Sequence, residues 1–181
     1  VDQSLQNVSY HLDRLLEAIG MTREDVTVRW AMLAHGSDVR IPREFDEDLL
    51  YLIGLVFGDG DISLDKRGGN REMVRISNGD EALLERAADI IEQKFDRQVE
   101  IEYQDDRVPC IRLTSATIAR FFSNVGMVSP KENLELDSRL TTAEHADAFL
   151  RGLMDADGSV TSRTSGSSSI QLSTISKPLA R

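Results

Sequence analysis

The chain has 181 residues, 40% hydrophobic and 29% charged, a balance that suits one packed domain or one and a half small ones and excludes a disordered chain. Its longest apolar run, Leu49 to Phe57, is too short to span a bilayer; the first twenty residues carry charges and lack the apolar stretch of a signal peptide; and one cysteine, Cys110, excludes an internal disulfide or a multi-cysteine zinc site. The net charge of −10 argues, at face value, against a phosphate-rich partner. Lysine occurs only at Lys66, Lys94, Lys131 and Lys177, the other basic residues being arginine. Such an acid-rich, lysine-poor composition fits concentrated salt, where screening within about 3 Å at 1 M shortens the reach of repulsion from DNA. An intracellular protein with no membrane partner is expected.

Before Pro42, the apolar residues Leu5, Val8, Leu12, Leu15, Leu16 and Ile19 predict an amphipathic helix ended by Gly20, and Thr22 with Asp25 predicts the capped start of a second. This segment, 1–42, is either part of a helix-turn-helix or a packing element. From Pro42 the pattern changes. Asp46 is a candidate N-cap for a helix through Gly58. Ile62 and Leu64 alternate with Ser63 and Asp65 as a strand, Arg67-Gly68-Gly69-Asn70 is a turn, and Met73 to Asn78 is a second strand. Asp80 caps a helix to Phe95 with Leu83, Leu84, Ala87, Ala88, Ile91 and Phe95 on one face. Val99–Tyr103 and Val108–Thr114 form a hairpin around Gln104 to Arg107. Ser115 caps a further helix ending near Val125, with Gly126 past its end.

The chain then repeats itself. Leu52-Ile53-Gly54-Leu55-Val56-Phe57-Gly58-Asp59-Gly60 lies over Leu150-Arg151-Gly152-Leu153-Met154-Asp155-Ala156-Asp157-Gly158, identical at five of nine positions. Downstream, Val74-Arg75-Ile76-Ser77 lies over Ile170-Gln171-Leu172-Ser173, Asp80 over Ser176 and Leu83 over Leu179. Residues 43–140 are thus a first unit with its linker, and 141–181 the beginning of a second.

The repeat is chemically pointed. Gly54 with Gly58, and Gly152 with Ala156, place small residues four apart, so two helices can pack backbone to backbone. Each helix then ends in an aspartate, Asp59 or Asp157, where an anion opposes the macrodipole by a few tenths to about 1 kcal/mol. Bringing the two together adds like-charge repulsion. Divalent cations reverse that balance, since carboxylate oxygens suit magnesium, and paired metals can activate water and stabilise a departing phosphodiester oxygen. Phe57 stands where the second copy has Asp155, so Asp155 is expected to be structural or peripheral. His11, His35 and His145 form no metal-binding spacing.

The doubled motif resembles the LAGLIDADG homing endonucleases, in particular their intein-encoded branch, over Pro42 to Arg181. The resemblance implies an α+β fold of αββαββα halves, here with the second half stopping after its first helix and hairpin, and it adds an intein subdomain to the alternatives for residues 1–42. It implies a site-specific endonuclease dependent on Mg2+ or another divalent cation, acting on double-stranded chromosomal DNA and leaving short 3′ overhangs. Asp59 and Asp157 become catalytic metal ligands, with Gly58 and Ala156 completing the metal-site set. The linker Gly126-Met127-Val128-Ser129-Pro130-Lys131 also resembles intein members, which puts Lys131 at the catalytic site. A β-ribbon fits the major groove. With Val74, Ile76, Ile111 and Leu113 facing the helices, Arg75, Ser77, Arg112 and Thr114 face DNA, as do Gln171 and Ser173 in the second copy, while Arg67 and Arg71 reach phosphates. The same alternation turns Glu100, Glu102 and Asp65 towards DNA, which is unfavourable. The alternatives are a non-cleaving nucleic-acid-binding module on the same fold, or a degenerate insert in a DNA-replication protein such as a replicative helicase. The chain has neither a nucleophile at Val1 nor a terminal His-Asn, so it is not expected to splice by itself. It is expected to be a fragment, a truncated product or one half of a dimer, with a host protein flanking the intein.

Overall fold

The computed structural model describes residues 39–64, 72–162 and 168–177, together with 14, 16–18, 20, 22, 30–31, 166 and 179. Near the N-terminus, Arg14 and Leu16 to Ala18 are helical, and Gly20 ends the turn at φ +70°, donating to the Glu17 carbonyl. The second predicted helix is corrected in part. Trp30–Ala31 (β1) pairs antiparallel with Val39–Arg40 (β2), so the segment closes on itself as a short ribbon; residues 23–29 lie outside the described set.

The first unit runs in the predicted order. Helix α1 (Glu47–Asp59) is capped by Asp46, which accepts from the Leu49 N–H at 3.0 Å and from Lys94 Nζ at 2.6 Å. Strand β3 (Gly60–Ser63) leaves the helix with no intervening loop, and β4 (Met73–Ser77) returns beside it. Helix α2 (Glu81–Phe95), β5 (Ile101–Glu102), β6 (Cys110–Leu113) and α3 (Ala116–Asn124) complete the unit. The four strands form one antiparallel sheet in the order β3-β4-β6-β5. The first strand was expected to reach Asp65 but ends at Ser63, leaving Leu64 exposed; Asp65, Arg67 and Arg71 lie outside the described residues. The hairpin strands are also shorter than expected. Tyr103 and Val108 stand in solvent, and Asp106 turns the chain in the left-handed region at φ 59°. On α2 the buried face includes Ile90, which the pattern missed, while Leu83 is only partly covered.

Val74, Ile76, Ile111 and Leu113 are buried beneath the helices, as alternation predicts. The core centres on α1, in which Leu49 through Gly58 are all buried. An all-round apolar helix must be enclosed on every side. The sheet, α2 and α3 cover one side of it, with Phe95, Phe121 and Phe122 in mutual ring contact. The second unit covers the other.

A linker leads to that unit. Gly126, at φ +109°, is pressed against the backbone of Glu135, a turn no larger residue can make. After a 3-10 turn at Lys131–Asn133 and a short helix α4 (Ser138–Thr142), helix α5 (Ala146–Asp157) packs along α1. The hairpin β7 (Gly158–Ser162) and β8 (Ser168–Leu172) follows. Ser176 sits where its helix-cap counterpart Asp80 predicts, accepting from the Leu179 N–H at 3.2 Å and donating to the Leu134 carbonyl at 3.0 Å.

The α1–α5 contact leaves no room for a side chain at its two central glycines. A Cβ at Gly54 would lie 2.0 Å from the Phe149 carbonyl oxygen, and one at Gly152 would lie 2.0 Å from that of Tyr51. Phe57 and Phe149 meet edge to face at 5.4 Å, and Tyr51 donates to Asp155 Oδ2 at 2.8 Å. The odd aspartate of the second copy is therefore a structural, helix-pairing residue. The Arg86 guanidinium stacks 3.6 Å from the Tyr51 ring centroid. Burial raises the Tyr51 pKa to about 12, with help from the Asp155 carboxylate.

Gly54→Ala tests this contact. Alanine favours a helix interior over glycine by about 1 kcal/mol, yet here overpacking against backbone should dominate and destabilise by about 1–3 kcal/mol or more. Gly79→Ala, which meets nothing within 4 Å, should be neutral or slightly stabilising. Urea unfolding of both variants checks the contrast.

Candidate active site

The two helices of the pair end in the same way. Gly60 follows Asp59 at φ −81°, ψ 157° and donates to the Val56 carbonyl; Gly158 follows Asp157 at φ −80°, ψ 155° and donates to the Met154 carbonyl. A Cβ at either glycine would stand 2.3 Å from that carbonyl oxygen, so each aspartate is followed by a residue that only glycine can supply. The chain turns directly from helix to strand and leaves the carboxylate at the rim. One turn beyond the Gly54–Gly152 contact region the helices still touch: a Cβ at Gly58 would lie 2.3 Å from the Ala156 Cβ and 3.3 Å from Asp157 Oδ2. Gly58 and Ala156 thus close the helix interface as predicted, and they bring Asp59 and Asp157 into one electrostatic neighbourhood.

The two carboxylates are not equivalent. Asp59 is half-buried and accepts from Asn78 Nδ2 at 2.5 Å, whereas Asp157 is exposed. Burial pushes the Asp59 pKa up, the Asn78 hydrogen bond opposes this, repulsion from Asp157 adds to it, and Lys131 opposes it. Lys131 projects from the linker's 3-10 turn, and its ammonium donates to the Gly58 carbonyl. Burial lowers its pKa, while attraction to Asp157, Asp59 and Asp61 resists that shift. The structure therefore unites Asp59, Asp157, Gly58, Ala156 and Lys131, all named from sequence. One ammonium faces two carboxylates and two negative helix ends, so the locus keeps a negative potential that favours a further cation.

The predicted nucleic-acid face is also laid out by the sheet. Arg75 stands directly opposite Arg112 and, on its other side, opposite Asp61. Ser77 lies opposite Cys110, half-buried; Thr114 is exposed just beyond β6. Gln171 is exposed opposite Ser159, and Ser173 is exposed after β8. Glu100 is exposed, and Glu102 is bonded to Arg112 at 3.2 Å rather than standing alone as an anion.

Asn78 is the functional neighbour that sequence reasoning missed. Its Oδ1 accepts from the Asp80 N–H at 2.6 Å, while its amide reaches Asp59. In the second copy Thr174 occupies the same place, and its Oγ1 accepts from the Ser176 N–H at 3.1 Å. The repeat held the signal: both residues cap the next segment, but asparagine carries a donor on a second arm. Asp61 was missed for a different reason, since its partner depends on strand register.

The family model described as LAGLIDADG-like domain matches residues 46–126 and 144–181. No curated protein matches the chain. Among solved structures, similar ones are mesophilic variants of the homing endonuclease I-DmoI, with a TM-score of 0.48 and 21% identity over 65% of this chain and 60% of that one; I-DmoI in complex with DNA and Mn, with 0.47 and 22% over 62% and 63%; and the homing endonuclease I-WcaI bound to its DNA recognition sequence, with 0.45 and 12% over 67% and 56%. The chain spans about three-fifths of the length of the I-DmoI structures.

The raised Asp59 pKa has a sign for stability. A carboxyl whose folded pKa exceeds its unfolded value adds stability below the unfolded value, 3.8, and loses it as pH rises through the folded value. Asp59→Asn should therefore raise the melting temperature at pH 8 and lose that advantage below about pH 4. The gain should stay under about 1 kcal/mol because solvent screens a half-exposed group. Calorimetric melts across this pH range check the prediction.

Proposed function

The chain belongs to the LAGLIDADG-like domain family, and from that premise we propose that it is the DNA-cleaving part of a homing endonuclease: a site-specific, divalent-metal-dependent hydrolase of double-stranded DNA, carried in an intein within a host protein. The observation that carries the proposal is the convergence of Asp59, Asp157 and Lys131 at the touching ends of α1 and α5. Helix packing needs the small residues, but not acids at both C-termini.

The donor set fits a hard cation. Asp59 and Asp157 offer carboxylate oxygens, and Ala156 offers a backbone carbonyl beside them; the Gly58 carbonyl accepts from the Lys131 ammonium and would join the set only if that ammonium turned to phosphate. Among the described residues no cluster of three acidic, histidine or cysteine ligands forms. The two carboxylates by themselves suit magnesium, which keeps several waters and binds through one or two carboxylates. A bound divalent cation supplies an acidified water and charge neutralisation on the leaving oxygen. The chain's own residues do the rest. Asn78 fixes the Asp59 carboxylate. Lys131, already beside both acids, stabilises charge that develops on the scissile phosphate. Arg75, Ser77, Arg112 and Thr114 on the first sheet, with Gln171 and Ser173 on the second hairpin, supply the DNA-facing surface. The acid-rich, lysine-poor composition supports a setting of concentrated salt inside the cell, where repulsion between this protein and DNA is short-ranged.

Cleavage of DNA spanning the uninterrupted host sequence, by the parent protein with magnesium and high potassium, tests the proposal. Asp59→Asn and Asp157→Asn should each lower the cleavage rate by about 10²–10³ or more while leaving binding intact. Lys131→Met should slow cleavage without changing affinity more than a few-fold. Binding without cleavage by the wild type would favour a non-cleaving module and sink the enzyme; cleavage that survives both aspartate substitutions would sink the site.

A further inference from the structure

The outward face of the four-stranded sheet carries an ordered row of charge. Crossing β3, β4 and β6, Asp61 is opposite Arg75, and Arg75 is opposite Arg112. On β5, Glu102 lies diagonal to Arg112, since its register partner is Cys110. The order is therefore acid, arginine, arginine, acid. Two like charges directly opposite each other on neighbouring strands are unfavourable, and nothing in the packing calls for them: both point away from the core beneath Val74, Ile76, Ile111 and Leu113. The flanking acids offset the repulsion. Arg112 Nη2 lies 3.2 Å from Glu102 Oε2, and Arg75 Nη2 lies 4.0 Å from Asp61 Oδ2.

These pairs are poor resting states. All four side chains are between a third and a half exposed, where ion pairs are weak and salt-sensitive. The Asp61 contact is at the limit of an ion pair, and Arg75 Nε is buried with no hydrogen-bond partner. A guanidinium held loosely by one carboxylate is readily handed to another oxyanion or to a guanine edge, which offer better bidentate geometry.

We propose that Asp61 and Glu102 are placeholders for DNA: in the free protein they occupy Arg75 and Arg112, and DNA binds this sheet only by displacing them. The inference rests on the proposed DNA-binding function. Two consequences follow. The acids hold the arginines extended over the sheet in the absence of DNA, which preserves their arrangement. They also cancel the positive charge of the row, so affinity for arbitrary sequence stays low and a site must offer enough good contacts to eject both carboxylates. Such a device is a specificity filter. It also gives Asp61 and Glu102, on a face predicted to meet phosphate, a use that the net charge alone leaves obscure.

Binding of random-sequence duplex DNA to the whole chain, without metal and across a salt series, tests this. Asp61→Asn/Glu102→Gln should bind on the order of ten-fold tighter at low salt. The slope of log affinity against log salt should steepen by about 2, because in the wild type each ejected carboxylate takes up a cation that offsets one released from phosphate, and in the variant it does not. Glu85→Gln/Asp89→Asn on the solvent side of α2 changes net charge equally and should leave affinity and slope nearly unchanged. Adding Arg75→Gln/Arg112→Gln to the sheet variant should abolish the gain. An equal gain in the α2 control, or no gain or weaker binding in the sheet variant while the wild type binds, would overturn the placeholder role and leave DNA binding standing. Failure of every protein to bind would remove the DNA-binding function and the placeholder role together.

Discussion

The contact between Gly54 and Gly152 sets the rest of the molecule. With each glycine against the carbonyl of the facing helix, α1 and α5 are held at backbone distance. Four residues on, the same faces meet again at Gly58 and Ala156. The next residue on each helix is the aspartate. Helical periodicity thus turns a close-packing motif into a device for placing two acids, because whatever fixes the axes at the glycines fixes the carboxylates one turn later. The charged rim has little freedom of its own.

That placement works against stability, which is why it speaks for function. Each carboxylate sits at the negative end of its helix, and Asp59 is partly withdrawn from water beside a second acid. Lys131 is likewise desolvated, and its folded pKa is depressed, so its contribution is complete only above its unfolded value and declines as pH falls through the folded one. Burial thus disfavours the charged forms of both Asp59 and Lys131. A fold selected only for stability would place neutral caps at these ends. On the proposed function the arrangement would become favourable once a cation and a phosphate shared the locus, since each would cancel charge that the protein alone leaves exposed to its like.

The parts legible in the sequence were those whose physics is local. Asp46, Asp80 and Ser115 announced helix starts because an N-cap acts within three residues. Gly126 announced a stop because positive φ is a property of one residue. The repeat singled out Asp59 and Asp157 and set Asp155 apart from them; the bond between Asp155 and Tyr51 shows only in the structure. What stayed hidden depends on partners far along the chain. The Asp61–Arg75 and Glu102–Arg112 pairs follow from strand register, which no single segment specifies. Asn78 looked like the end of a strand and is also the residue that grips Asp59, nineteen positions earlier. The ribbon at Trp30–Ala31 and Val39–Arg40 was likewise hidden, because two-residue strands leave no periodic pattern to read and are set by their pairing.

The two copies also separate what a sequence pattern encodes from what burial requires. In the first hairpin Ile62 faces Val74, and both are buried, at 4% and 2% exposure; in the second, Val160 faces Ile170 in the equivalent register, at 70% and 73%. The alternation is shared, the strand pairing is shared, and the environment is not. In the first unit α2 and α3 lie over the apolar row, whereas among the described residues nothing covers it in the second. A two-stranded hairpin is at best marginally stable on its own, so β7 and β8 owe their order to what flanks them. On one side is the helix end locked against α1; on the other is Ser176, bound to the linker at Leu134. The aspartate at the head of β7 is therefore positioned by helix packing rather than by its own sheet. This explains why Asp157 can match Asp59 in backbone geometry while standing more exposed to solvent.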